Sequence, residues 1–136
     1  MALRVLSLGW GVQSWTLAAM AALGEIEPVD FAIHSDTTHE ASGTYAHAAK
    51  WTPWLEERGV KVVTVRPRDA SLVDKFGGVM IPAFTTSADG EAGQIRRQCT
   101  GAWKIVPIRT YLRSVLPPRP APGSVQLLTG ISWDEA

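Results

Sequence analysis

The stretch SLGWGVQSWTLAAM, Ser7 to Met20, decides the fold. Before it, Leu3 to Leu8 is rich in branched apolar side chains and ends at Gly9, the pattern of a buried strand. From Gln13 onward the residues Trp-Thr-Leu-Ala-Ala-Met-Ala-Ala-Leu are mostly good helix formers, stopped by Gly24 as the residue after the helix. The unit is strand, glycine loop, helix. A plain turn has little use for Gly-Trp-Gly followed by Gln13 and Ser14. Glycines allow close backbone approach, and a helix N-terminus presents unpaired N–H groups carrying about half a positive charge. Ser7, Gln13 and Ser14 add side-chain donors, so each part has a use if the ligand is a phosphate. The alternative is a tight turn whose glycines serve packing. The third glycine of the dinucleotide fingerprint is absent, because position 14 is Ser, and no Gly-Lys-Ser/Thr of a Walker loop follows.

Working outward, VDFAIHSD (Val29 to Asp36) reads as a second strand and TYAHAAKWTPWLEERG (Thr44 to Gly59) as a second helical region. Pro53 lacks the N–H that a helix interior uses, so it is expected to kink that helix or start a new one behind Thr52. VKVVTV (Val60 to Val65) reads as a third strand. Gly77 to Gly93 has little periodicity and reads as a long loop, with a short extended piece at VMIPAF. WKIVPIRTYLR resumes a helix that PPRPAPG ends, and SVQLLTGIS reads as another buried strand. The order predicts one α/β domain over residues 1–136, a parallel sheet with right-handed crossovers.

With 136 residues, 46% hydrophobic and 19% charged, the chain suits one compact domain. Such a domain buries roughly 68–70% of its unfolded surface and needs neither disulfides nor a structural metal. The single cysteine, Cys99, excludes an internal disulfide and suits a reducing cytoplasm. The N-terminus lacks the pattern of a signal peptide, and no apolar stretch approaches the ~20 residues of a membrane span, so a cytoplasmic chain without a membrane partner is expected. The formal net charge is zero, which argues against a globally basic binder of nucleic acid. The charges are nonetheless uneven: Ile95 to Arg119 contains Arg96, Arg97, Lys104, Arg109, Arg113 and Arg119 and no acidic residue. Two readings stand, a solvated basic helix face or a polyanionic ligand.

Four stretches in order carry a family resemblance. SLGWGVQS resembles the PP-loop of the adenine-nucleotide alpha-hydrolase superfamily, commonly SGGxDS, in the version with Gln for Asp found in phage and bacterial PAPS (phosphoadenylyl-sulfate) reductase-like proteins. HSDTTHEASGTYAHAAKW resembles the family's D-T-G segment with its downstream Thr-Tyr. RRQCTGAWKIVPIRTYLR resembles its Cys…Lys-x-x-Pro segment, and LTGISWDEA resembles the strand end that carries Gly130. The resemblance implies a Rossmann-like (HUP-type) α/β/α sandwich. It further implies ATP or a related adenine nucleotide, with magnesium, its phosphates on Gly9, Gly11, Val12, Gln13 and Ser14 and its adenosine near Ser35, Asp36 and Thr37. Members cleave ATP between the α and β phosphates, adenylating an acceptor, or attack the sulfuryl group of PAPS. Arg97 and Lys104 would then neutralise phosphate or sulfate oxygens as charge moves to the leaving group. The acceptor is left open, a nucleic acid being one choice, and an oligomer is compatible with the motifs.

The departures are informative. Trp10 takes the place of a small residue, so its ring must point away from the loop or cap the ligand. Gln13 removes the loop carboxylate, Thr38 replaces the Gly of D-T-G, and Ser132 stands where many relatives have Arg. Relatives usually continue past the last motif, so the chain reads as a fragment or a reduced version, and no residue is an obvious nucleophile. One cysteine cannot hold an iron–sulfur cluster that needs about four ligands, so none is expected. Cys99 reads as a small residue packed under the site, and sulfonucleotide reduction is not expected. A catalytically inactive nucleotide-binding or interaction module is the second reading. A metal-dependent phosphoesterase using His34, Asp36, His39, Glu40 and His47 is the third, although His39 and His47 lack the i, i+4 spacing of paired ligands on a helix.

Overall fold

The computed structural model describes residues 2–38, 40–67, 84–94 and 100–132. The chain runs β1 (Leu3–Ser7), α1 (Val12–Leu23), β2 (Phe31–Ser35), α2 (Ser42–Glu57), β3 (Val62–Val65), β4 (Phe84–Thr86), β5 (Ala92–Gln94), a π-helical segment (Thr100–Ile105), α3 (Val106–Val115) and β6 (Val125–Leu128). Four strands form one parallel sheet in the order β3-β2-β1-β6, with Val5 opposite Phe31 and Leu127 and with Ala32 opposite Val62. This is a small α/β fold.

The two-residue period of the strands divides the core. Leu6, Leu8, Ala32 and Val62 turn to one face and pack with Ala18 of α1 and Leu55 of α2. Val5, Phe31, Ile33 and Val63 turn to the other, against Ile108, Tyr111 and Leu112 of α3. Steps from β1 to β2 to β3 move one way across the sheet, and the step to β6 returns past β1. Right-handed crossovers then require α1 and α2 on one face and α3 on the other, as the packing has them. Leu6 and Ile33 are fully buried, each worth roughly 1.5–3 kcal/mol. At the opposite edge from the loops, Arg4 ties three segments together through the Pro28 carbonyl at 3.0 Å, Gln126 at 2.8 Å and Glu27 at 3.0 Å.

Three expectations need correction. SVQLLTGIS does not form a buried strand: β6 is an edge strand, with Gln126 and Leu127 exposed, because among the described residues it has β1 as a neighbour on one side and none on the other. Pro53 does not start a new helix, since α2 is continuous from Ser42 to Glu57. Pro53 and Ala49, whose carbonyl loses its donor, both lie on the exposed side, where water replaces the bond, while Trp51, Trp54 and Leu55 hold the inner side on the core. The expected loop from Gly77 to Gly93 contains the antiparallel hairpin β4-β5, with Thr85 opposite Gly93. Its turn was legible as Asp89-Gly90, for Gly90 has φ 80 and donates to the Ser87 carbonyl at 2.9 Å. The remainder of VMIPAF lies outside the described residues. Among those described, no helix is long and apolar enough to cross a membrane.

The stop at Gly24 is as read. Gly24 has φ 75 and donates to the Ala21 carbonyl, while the Glu25 N–H reaches the Met20 carbonyl at 2.9 Å. Gly24→Ala is expected to lower stability by about 1 kcal/mol, because the left-handed conformation opposes a Cβ. Chemical denaturation with an unchanged slope and a lower midpoint checks it.

Candidate functional site

The loop from β1 to α1 leaves the sheet where strand order reverses, between β1 and β6, the place where open α/β sheets form a crevice beyond the strand ends. Trp10 sets its course. The residue has φ 62, in the left-handed region, and is buried. Its ring points away from the loop into an aromatic cluster between α1 and α2, stacked on Trp15 at 5.9 Å with His47 edge-on at 5.7 Å. Trp51 and Trp54 extend the cluster at 5.1 and 5.9 Å from Trp15.

Six predicted residues of the loop are thereby sorted. Ser7 is the half-buried end of β1, paired in register with Ile33. The Gly9 N–H donates to the Ser14 hydroxyl at 3.2 Å, and that hydroxyl donates to the Gly11 carbonyl at 3.4 Å. Ser14 therefore pins the loop from within. Gly11, Val12 and Gln13 face outward. Gly11 is the N-cap of α1, no side chain caps this helix, and its first turn contains no acidic residue. At Gly11 a Cβ would meet nothing within 4 Å.

Gly130, following β6, packs on this turn. A Cβ there would stand 2.6 Å from the Ser14 nitrogen and 2.7 Å from the Gln13 carbonyl carbon. The residue type was read from a motif; its physical reason is this close approach of two backbones.

Opposite the loop, the first turn of α2 approaches with its own uncapped N-terminus. A cavity of about 330 Å³ opens between the two helices, lined by Trp10, Gly11, Val12, Trp15, Gly43, Thr44 and His47. Two positive helix poles thus border one space containing indole and imidazole rings. The sequence reading missed Gly43, Thr44 and His47 as partners of the loop. The available signal was the small pair Ser42-Gly43 at the start of a helix that needs no side-chain cap.

The end of β2 is differently disposed. The Ser35 hydroxyl donates to the Trp103 carbonyl, on the α3 side of the sheet. Asp36 is buried and receives the Thr38 N–H at 2.8 Å, the Tyr45 hydroxyl at 2.8 Å and Arg66 Nε at 3.0 Å. The Thr37 hydroxyl donates to Glu40 at 2.9 Å. Asp36 and Thr37 hold the β2–α2 connection together, whereas Ser35 ties β2 to the π-helical segment. Thr38, standing where the resembled motif has glycine, has φ 64, so the turn keeps a left-handed residue without a glycine at a cost of roughly 1–2 kcal/mol. Burial pushes the Asp36 carboxyl up, but the Thr38 N–H, the Tyr45 hydroxyl and the Arg66 guanidinium together outweigh it and hold the carboxyl below the usual range. Tyr45 is correspondingly pushed up, first by its bond to Asp36.

Trp103 is buried, and Lys104 beside it is exposed, one residue from the contact with β2. Arg97 and Cys99 lie outside the described residues, as do His39 and Trp133. Of the proposed metal ligands, His34 is buried with Nδ1–H donating to the Leu8 carbonyl at 2.9 Å, and His47 belongs to the aromatic cluster. Among the described residues no group of three or more His, Cys, Asp or Glu could hold a metal. Comparison with protein-family models, with curated proteins and with solved structures found no match.

Gly130→Ala is expected to displace the first turn of α1, because its Cβ meets backbone rather than a side chain that could swing aside. Tryptophan fluorescence from the Trp10–Trp15 cluster, together with a lower melting midpoint, reports it. For Asp36 the depressed folded pKa means stabilisation that is full above the unfolded value of about 3.9 and is lost as pH falls through the folded value. Asp36→Asn should cost roughly 1.5–3 kcal/mol at neutral pH, the range for hydrogen bonds to a charged group. The gap in melting midpoint between variant and wild type should narrow as pH falls below about 4.

Proposed function

We propose that the chain binds an adenine nucleotide, ATP or PAPS, with its phosphates against the backbone of Gly11, Val12 and Gln13 and its ring end in the cavity between α1 and α2. The sheet is then the Rossmann-like core of HUP type. The observation that carries this reading is the cavity itself: two uncapped helix N-termini border it, aromatic rings line it, and Gly11 leaves its floor free of side chain. Its volume of about 330 Å³ lies at the lower end of small-molecule pockets, ~300–1,000 Å³. Aromatic walls suit a flat base, and helix poles suit the phosphates.

In this reading the reaction is cleavage between the α and β phosphates, with adenylation of an acceptor. Backbone N–H groups of the first turn and the pole of α1 would take up charge as it develops on pyrophosphate. Arg97 and Lys104 are the candidate cations, of which Lys104 is exposed and unpaired among the described residues. A protein-held magnesium does not fit the described residues: Gln13 brings no carboxylate to the loop, and both Asp36 oxygens are already bonded. No step here is routed through the metal. The engagement of Asp36 favours a second reading, a module that binds the nucleotide without cleaving it.

Calorimetric titration with ATP, PAPS and AMP, with and without magnesium, tests the proposal. Either triphosphate or PAPS is expected to bind wild type. Gly11→Val should lose at least ~10-fold in affinity with little change in melting midpoint, because the valine Cβ fits the free protein at φ −75 and occupies the ligand's approach. Equal affinity in the variant, or no binding by wild type, removes the reading. Release of AMP and pyrophosphate separates the enzyme from the binding module.

A further inference from the structure

The basic segment carries cations with no acidic residue beside them in sequence. No acidic residue occurs between Glu91 and Asp134. Within that span, Lys104, Arg109, Arg113 and Arg119 are all exposed, and none forms an ion pair among the described residues. Arg109 and Arg113 are one helical turn apart on α3, a like-charge spacing of about 5–6 Å that costs the helix roughly 0.2–0.5 kcal/mol. Arg113, in the last turn, recovers part of this from the helix's negative pole; Arg109 does not. Lys104 lies in the last turn of the π-helical segment, which runs directly into α3. A solvated face would ordinarily mix signs. Here no acid among the described residues relieves the repulsion, and an anion from outside would.

The inward face of α3 is spoken for. Ile108, Tyr111 and Leu112 pack on Val5, Phe31 and Ile33, and Tyr111 meets Phe31 edge-on at 5.6 Å. The outward arc carries Arg109 and Arg113 beside the exposed hydroxyl residues Thr110 and Ser114. We infer that this outer face of α3 docks the phosphate backbone of a nucleic acid. Guanidinium forks match phosphate oxygens, and hydroxyls add neutral hydrogen bonds to them. No aromatic ring lies on the arc, so binding is independent of base sequence. A membrane is disfavoured, because the largest apolar side chains of α3, Ile108, Tyr111 and Leu112, are packed on the sheet and only Val106 and Val115 are exposed on the helix. The surface is separate from the cavity, and its test does not depend on nucleotide binding.

Fluorescence anisotropy with a labelled oligonucleotide of about 20 residues, single-stranded and as duplex, from about 20 to about 200 mM salt tests the inference. Wild type is expected to bind, with affinity falling steeply as salt rises. Arg109→Ala with Arg113→Ala should reduce the slope of log affinity against log salt by about 2 and weaken low-salt binding by at least ~10-fold. Both side chains are exposed and unbonded within the described residues, and far-UV circular dichroism checks that the variant is folded. Arg109→Lys with Arg113→Lys should keep the slope. Arg58→Ala removes an exposed arginine that is already stacked on Trp54 and near Glu57, and should leave binding unchanged. No wild-type binding at low salt, equal loss in Arg58→Ala, or binding to phosphatidylserine vesicles without oligonucleotide binding would each overturn the inference.

Discussion

The left-handed turn at Trp10 is the constraint on which the rest of the loop depends. Holding a non-glycine residue at φ 62 costs roughly 1–2 kcal/mol. Burying an indole removes ~150–250 Å² from water, worth roughly 4–6 kcal/mol, before its contact with Trp15 is counted. Burial wins by a clear margin. The ring's position in the cluster then fixes the peptide that follows, and Gly11 emerges facing open space at the head of α1. The same cluster ties the loop to α2 through His47 and Trp51. One strained residue thus sets the distance between two helix N-termini.

Polar side chains near the strand ends are largely spent on the protein itself. Ser14 closes the loop, Ser35 ties β2 to the π-helical segment through the Trp103 carbonyl, and Asp36 gathers Thr38, Tyr45 and Arg66. A ligand at this end of the sheet therefore meets backbone and rings more than carboxylates and hydroxyls. Recognition by fixed backbone dipoles needs no reorganisation when the ligand arrives, which suits phosphate better than a divalent metal. The faces of the sheet are also unequal: α1 and α2 border the aromatic cavity, whereas α3 turns to solvent cations that are unpaired among the described residues.

Much of the architecture was legible because it follows from neighbours along the chain. Strand periodicity in Leu3–Ser7 and Phe31–Ser35, the glycine stop at Gly24 and the alternation of strands with helices are local patterns, and the parallel sheet follows from their order. That α2 runs through Pro53 instead of restarting behind Thr52 was not legible, because the cost of the proline depends on which side of the helix the orphaned carbonyl faces, a property of packing. SVQLLTGIS misled because an apolar run does not reveal whether its strand has one neighbour or two.

The candidate site divides along the same line. By itself the sequence determined that a glycine loop joins the first strand to the first helix, and that the cations gather in one segment without acids. Tertiary structure alone decided that Trp10 points away from the loop, that Gly130 seats against Ser14, and that Asp36 is enclosed by Tyr45 and Arg66. The physical reason is that a side chain's availability depends on its partners in space. Those partners arrive from other strands and helices, and no local pattern records them.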